Sequence, residues 1–167
     1  TGTATAPITY GAYGTGPQPI ITGSEILTGW TQHDAANSIW KAAYTWNSPI
    51  EPSFTTVDLA FVYGEVAVKK TSISQLRAVG DWYYTNGVMY TYSPSIPTHF
   101  EVGVRNYGVY ACDKLRVKYI VVEDIEIRNA NYKSILVGQY NDNWIIRNVT
   151  AHRNGRREDV EDGGRGN

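Results

Sequence analysis

Three short segments of this chain repeat one pattern at nearly constant spacing. They are EVGVRN from Glu101, DIEIRN from Asp124 and NVTAHR from Asn148. Steps of 23 and 24 residues are a solenoid signature. Each segment alternates apolar and polar residues with the period of a β-strand. One side reads Val102 and Val104, then Ile125 and Ile127, then Val149 and Ala151. If the three stack, these columns exclude water and leave the polar columns outside. Further strand-like runs lie between them: Gly108 to Tyr110, Val117 to Val122, Ser134 to Val137 and Trp144 to Ile146. Several strands per repeat leave no room for the helix that a βαβ crossover needs. The expected fold is all-β, a right-handed parallel β-helix. The alternative is an antiparallel β-sandwich.

The first hundred residues read differently. Asp81 to Tyr84 and Val88 to Tyr92 flank a Thr-Asn-Gly turn at 85–87, whose Asn-Gly is the strongest hairpin signal in the chain. A second hairpin is expected over 57–70, turning at Gly64-Glu65. One helical turn is expected near Ser72 to Leu76, capped by Ser72 or Ser74. Residues 47–55 contain two prolines and read as a loop. The expected organisation is a hairpin-rich cap over 1–98, parallel coils over 99–155, and a charged, Gly-rich tail or truncated coil over 156–167. In the tail the positions that would continue the core columns fall near Asp159 and Glu161, and no cap is recognisable. A fragment of a longer chain, with an open coil end, is therefore expected.

Composition narrows the functional classes. The 167 residues carry a net charge of −1, which provides no general field for nucleic acid. No apolar run is long enough to span a bilayer. One cysteine, Cys112, excludes an intrachain disulfide framework. There are 13 Tyr and 5 Trp, and such rings serve equally as strand residues or as platforms for the C–H face of a sugar.

The stretches GTATAPITYGAYG (Gly2 to Gly14), PIITGS (Pro19 to Ser24), LTGW (Leu27 to Trp30) and NSIWKA (Asn37 to Ala42) resemble the opening of a family. The same holds for GDWYYTNGVMYTYSP (Gly80 to Pro94), YGVY (Tyr107 to Tyr110) and VEDIEIRNA (Val122 to Ala130). The family is that of the secreted bacterial right-handed parallel β-helix proteins, which includes polysaccharide lyases and glycoside hydrolases. The likeness spans most of residues 1–155 and is specific for architecture. It implies an extracellular protein that binds and processes polysaccharide. The family also contains non-catalytic adhesins and fibre proteins. A structural subunit, assembling through exposed rungs at an uncapped coil end, is thus the alternative function.

Stacking the three strands predicts outward polar columns. Glu101, Asp124 and Asn148 form one, and Arg105, Arg128 and His152 another, with Glu126 and Thr150 between them. A lyase needs a cation to neutralise a uronate and a base to remove its α-proton. Glu126, Arg128, Lys133 and His152 are the catalytic candidates. Trp82, Tyr84, Tyr90 and Arg105 are the substrate-binding candidates, with Trp82 and Tyr84 on the opposite side of their strand from Tyr83. His33 and His99 have no metal-ligand spacing, and no metal site is expected from them. Asp159, Glu161 and Asp162 are hard oxygen ligands that would suit Ca²⁺. Asn106 and Asn129 end equivalent strands and suit a buried corner ladder.

Overall fold

The computed structural model describes residues 1–45, 57–113 and 115–155. The expected loop over 47–55 and the tail with Asp159, Glu161 and Asp162 lie outside them. The described residues are all-β, apart from one 3₁₀ turn at Ile73–Gln75. Two compact units share them: Thr1–Gly23 with Asn106–Gly155, and Ser24–Arg105.

The chain begins the first unit with β1 (Ile8–Gly11) and β2 (Ile20–Thr22). It then builds the whole second unit. This comprises β3 (Ser24–Ile26), β4 (Thr31–Asp34), β5 (Ile39–Ala43), β6 (Ala60–Val62), β7 (Glu65–Val66), β8 (Val68–Lys69), β9 (Asp81–Thr85), β10 (Val88–Tyr92) and β11 (Phe100–Gly103). The first unit resumes with β12 (Tyr107–Ala111), β13 (Ile120–Glu123), β14 (Glu126–Arg128), β15 (Lys133–Val137), β16 (Trp144–Arg147) and β17 (Thr150–His152).

Every strand pairing in the first unit is parallel. The ladders run β1-β13-β16, β2-β14-β17 and β12-β15. Ile120, Val122, Ile125 and Ile127 form the buried core, with Ile21, Val109, Ile135, Trp144 and Val149 packed against them. The corners between strands explain the repeat. Tyr119 and Asn143, Asp124 and Asn148, and Asn129 and Arg153 all have positive φ. Each pair is one turn of chain apart, the 24-residue step at which Asn148 donates its amide to Asp124 and Arg147 meets Glu123. Asn and Asp enter this left-handed region most readily among non-glycine residues.

Internal side-chain bonds stitch one turn to the next. Asn141 Nδ2 donates to the carbonyls of Cys112 and Gly138, each at 3.0 Å, while its Oδ1 accepts from Val117 N–H at 2.8 Å. Asn154 accepts from Ala130 N–H at 2.7 Å and donates to the Ile127 carbonyl at 3.2 Å. The expected corner asparagines, Asn106 and Asn129, are both buried. It is the fully buried Asn131 whose amide reaches Asn106, at 3.5 Å.

The second unit is mostly antiparallel. Its two sheets run β4-β5-β10-β9-β8 and β3-β11-β6-β7, and only β8-β9 is parallel. Both sheets contribute to one core: Ala42, Trp82 and Met89 from the first, Ala60, Phe100 and Val102 from the second. That is the layout of a sandwich, the alternative considered for the whole chain. Trp30 meets Phe100 edge to face at 5.1 Å. The Asn86-Gly87 hairpin forms as expected, with φ of 48° and 77°. The earlier hairpin turns at Tyr63-Gly64, one residue before the expected position, and β8 leaves it to pair with β9. Ser72 precedes the 3₁₀ turn but makes no side-chain cap.

Two expectations are corrected here. The segment from Glu101 is not a turn of the parallel stack. β11 pairs antiparallel with β3 and β6, and β2 takes the place beside β14. Alternation selects the buried side of a strand but does not name its neighbour. Leu27 N–H donates to the Phe100 carbonyl at 2.8 Å, and Ser24 donates to the Glu101 carboxylate, which holds β11 in the second unit. The boundary placed at 98/99 shifts for the same reason: residues 1–23 belong with 106–155, and 24–105 stand apart.

Candidate functional site

The clearest gathering of reactive groups lies on the β2-β14-β17 sheet. Ile127 points into the core and is fully buried. Its neighbours Glu126 and Arg128 therefore face outward. Register places Glu126 beside Thr150 and Ile20, and Arg128 beside His152 and Thr22. Glu126 Oε1 accepts from His152 Nε2–H at 3.0 Å and from Arg128 Nη1–H at 3.3 Å. The carboxylate is thus held between an imidazole on the next strand and a guanidinium on its own. Side-chain exposures are 22% for Glu126 and 39% for both Arg128 and His152, so all three remain reachable from solvent. Gln18 lies beside this face, with Thr150 Oγ1 donating to its Oε1 at 3.5 Å. Ion pairs this exposed contribute only about 0–1 kcal/mol to stability. Chemically, the trio offers one fixed cation, one carboxylate and one imidazole on a flat sheet.

Lys133 does not join it. It lies on β15, in the β12-β15 sheet, with Nζ 5.0 Å from the Tyr132 ring centre. Arg105 does not join it either. It follows β11 in the second unit and pairs with Glu25 at 2.7 Å. Thr22, from the short strand PIIT, occupies the column position expected for Arg105. Period-2 alternation in that strand is the sequence signal for it, and three residues make the signal weak.

The aromatic hairpin has the expected sidedness but the opposite orientation. Trp82 is fully buried and Tyr84 packs against the same core, with Tyr84 O–H donating to the Tyr44 carbonyl at 3.1 Å. The Trp82 ring offers no face to a ligand, and the Tyr84 ring is only partly exposed. The reason is that Met89 and Thr91, their cross-strand partners, are the buried residues of β10. Burial, then the Tyr84 phenol and the Glu25 carboxylate, pushes the Tyr44 hydroxyl up to about 12. Tyr90 lies on the other side of the sheet, near Tyr83 at 6.4 Å and edge-on to His33 at 5.0 Å. Among the described residues, no three His, Cys, Asp or Glu side chains are grouped to hold a metal. No helix of the described residues is long and apolar enough to cross a membrane.

No family model matches the chain. No curated protein matches its sequence. A solved structure described as the complex of XylC with xylose shares the fold, with a TM-score of 0.64 over 96% of this chain at 15% identity. The match covers 36% of that protein, so this chain spans just over a third of its length. At this identity the likeness is one of fold.

Proposed function

We propose that the chain belongs to an extracellular, carbohydrate-active β-helix protein that binds and processes polysaccharide. In this reading the parallel unit forms turns of a right-handed β-helix, akin to those of the secreted bacterial lyases and hydrolases. The observation that carries it is the Arg128–Glu126–His152 trio on the outer face of stacked parallel strands. Such a face is flat and extended, as a glycan chain is. The fold shared with XylC, whose structure is a complex with xylose, supports a sugar as the ligand. Arg128 neutralises a uronate carboxylate, and His152 or Glu126 serves as the base beside it. A glycosidase needs two carboxylates flanking the bond. The trio holds one, which favours elimination over hydrolysis.

The test is incubation with uronate polysaccharides, reading the absorbance of the unsaturated product, and with xylan, reading new reducing ends. Glu126→Gln and His152→Ala are each expected to lower the elimination rate by about 10²–10⁴-fold. Full activity in both variants overturns the assignment of the trio.

A second reading is a structural subunit that stacks rung on rung. It draws on β16, where Ile145 and Ile146 are half exposed although Val122, the register partner of Ile146, is fully buried. Ordered polymers in light scattering and electron microscopy, without glycan turnover, would select it.

A further inference from the structure

The second unit contains a groove that the trio does not use. Its walls include Tyr63, Tyr92, Pro94, Pro97, Thr98 and His99. None of the groove's lining residues is Asp, Glu, Lys or Arg. Tyr63 stands out among them. It is 69% exposed and occupies the first position of a two-residue turn, at φ 52°. The equivalent position in the other hairpin of this unit is Asn86, at φ 48°. Asn is the residue such turns favour, and a tyrosine there is strained. Burial does not compensate, because the ring is mostly in water.

The ring is nevertheless fixed. It stacks on His99 with centres 5.1 Å apart and planes 26° from parallel. His99 Nδ1 is within 2.9 Å of Thr98 Oγ1, and Tyr63 N–H donates to the His99 carbonyl at 3.1 Å. The loop that carries Pro94 and Pro97 is anchored where it begins, by Trp40 Nε1–H donating to the Ser93 carbonyl at 2.9 Å. An exposed ring already held in place beside an uncharged groove is a platform that a ligand meets without first having to order it.

We infer that Tyr63 and this groove form a sugar-binding subsite for a neutral pyranose unit. The Tyr63 ring stacks on the C–H face of the sugar, and the hydroxyl of Thr98 and the ring of His99 meet its hydroxyl groups. The inference rests on the carbohydrate reading above. It adds a second site whose uncharged lining selects a different sugar class from the Arg128 face.

The decisive variant is Tyr63→Asn, which removes the ring and supplies the residue the turn prefers. Binding is measured by titration calorimetry with xylo-oligosaccharides and with oligogalacturonates, and stability by thermal unfolding. The expected result is an unfolding midpoint at or above that of the parent. Affinity for the neutral oligosaccharide should fall roughly tenfold, the loss of one ring stack. Tyr63→Phe should keep most of that affinity. A lowered midpoint for Tyr63→Asn shows a structural ring and overturns the inference. Unchanged neutral-sugar affinity also overturns it, while binding that depends on Glu126 leaves the proposed function standing. If the neutral oligosaccharide does not bind the parent protein, the subsite is overturned, and turnover of uronate polysaccharides decides the proposed function separately.

Discussion

The two units solve the same problem, burying β-strands, by different means. The Thr1–Gly23 and Asn106–Gly155 unit does it by repetition. Residues of similar type recur one turn later, left-handed corners recur with them, and the core is a column of Ile and Val. The Ser24–Arg105 unit does it by fitting unlike pieces. Trp82, Phe61, Phe100 and Met89 are all fully or almost fully buried, and none has a counterpart elsewhere in the sequence. Repetition tolerates a conservative change at one turn, because the neighbouring turn presents the same surface. A core of large rings is less forgiving, because each ring has a unique socket.

That difference is broken most directly by removing a ring. Trp82→Ala is expected to cost about 3–5 kcal/mol, the usual range for a large aromatic removed from a core. Urea unfolding measures it. A cost below that of an ordinary Ile→Val change would mean the socket collapses, and the contrast between the units would be lost.

The next effect concerns the repeating unit. A Cβ built on Gly108 would lie 2.2 Å from Ile127 Cγ2 and 2.8 Å from the Ser134 carbonyl oxygen. Gly108→Ala should therefore cost about 1–3 kcal/mol by overpacking. The sharper measurement is the double variant with Ile127→Val, which keeps Cγ2 positions but drops the outermost carbon. If the side chain can pivot in the smaller variant, the two changes will be less than additive. Strict additivity would show that the backbone contact with Ser134, and not the Ile127 column, sets the limit.

How much of this was legible beforehand follows the same division. The 24-residue step set Arg128 beside His152 on paper with Glu126 next to that column, and parallel register keeps this alignment, leaving His152 Nε2 3.0 Å from Glu126. The Asn86-Gly87 turn fixed its hairpin because two successive left-handed residues are locally encoded. The segment from Glu101 misled, since its alternation matches that of Asp124 to Asn129 while its partners are β3 and β6, encoded far away in the chain. Trp82 and Tyr84 were assigned together to one side, which alternation determines. Which side faces water was decided by the second sheet, which no local pattern announces. Lys133 has the right chemistry on another sheet, because a corner at Asn129 turns the chain between β14 and β15.

The smallest effect is a charge at the edge of the second core. Asp81 is buried, and Arg77 and Ala78 N–H groups donate to its Oδ2 at 2.9 and 3.0 Å. Lys70 Nζ lies 3.1 Å from its other oxygen. Burial by itself raises the Asp81 carboxyl. The Arg77 N–H, the Lys70 ammonium and the Ala78 N–H outweigh it, and the net direction is down from an ordinary value near 3.8. A carboxyl that is more acidic in the folded state stabilises the fold at any pH above that ordinary value. This contribution fades as the pH drops through the depressed folded value, where the folded carboxylate takes up its proton. Asp81→Asn keeps an oxygen for the two N–H donors and loses the attraction to Lys70, so it should cost about 1 kcal/mol at neutral pH. Urea midpoints of parent and variant should stay apart from pH 7 down to about pH 4 and converge below it. A gap that persists unchanged into strong acid would mean that Asp81 acts through shape and not through charge. The second unit would then owe its stability to the aromatic core alone.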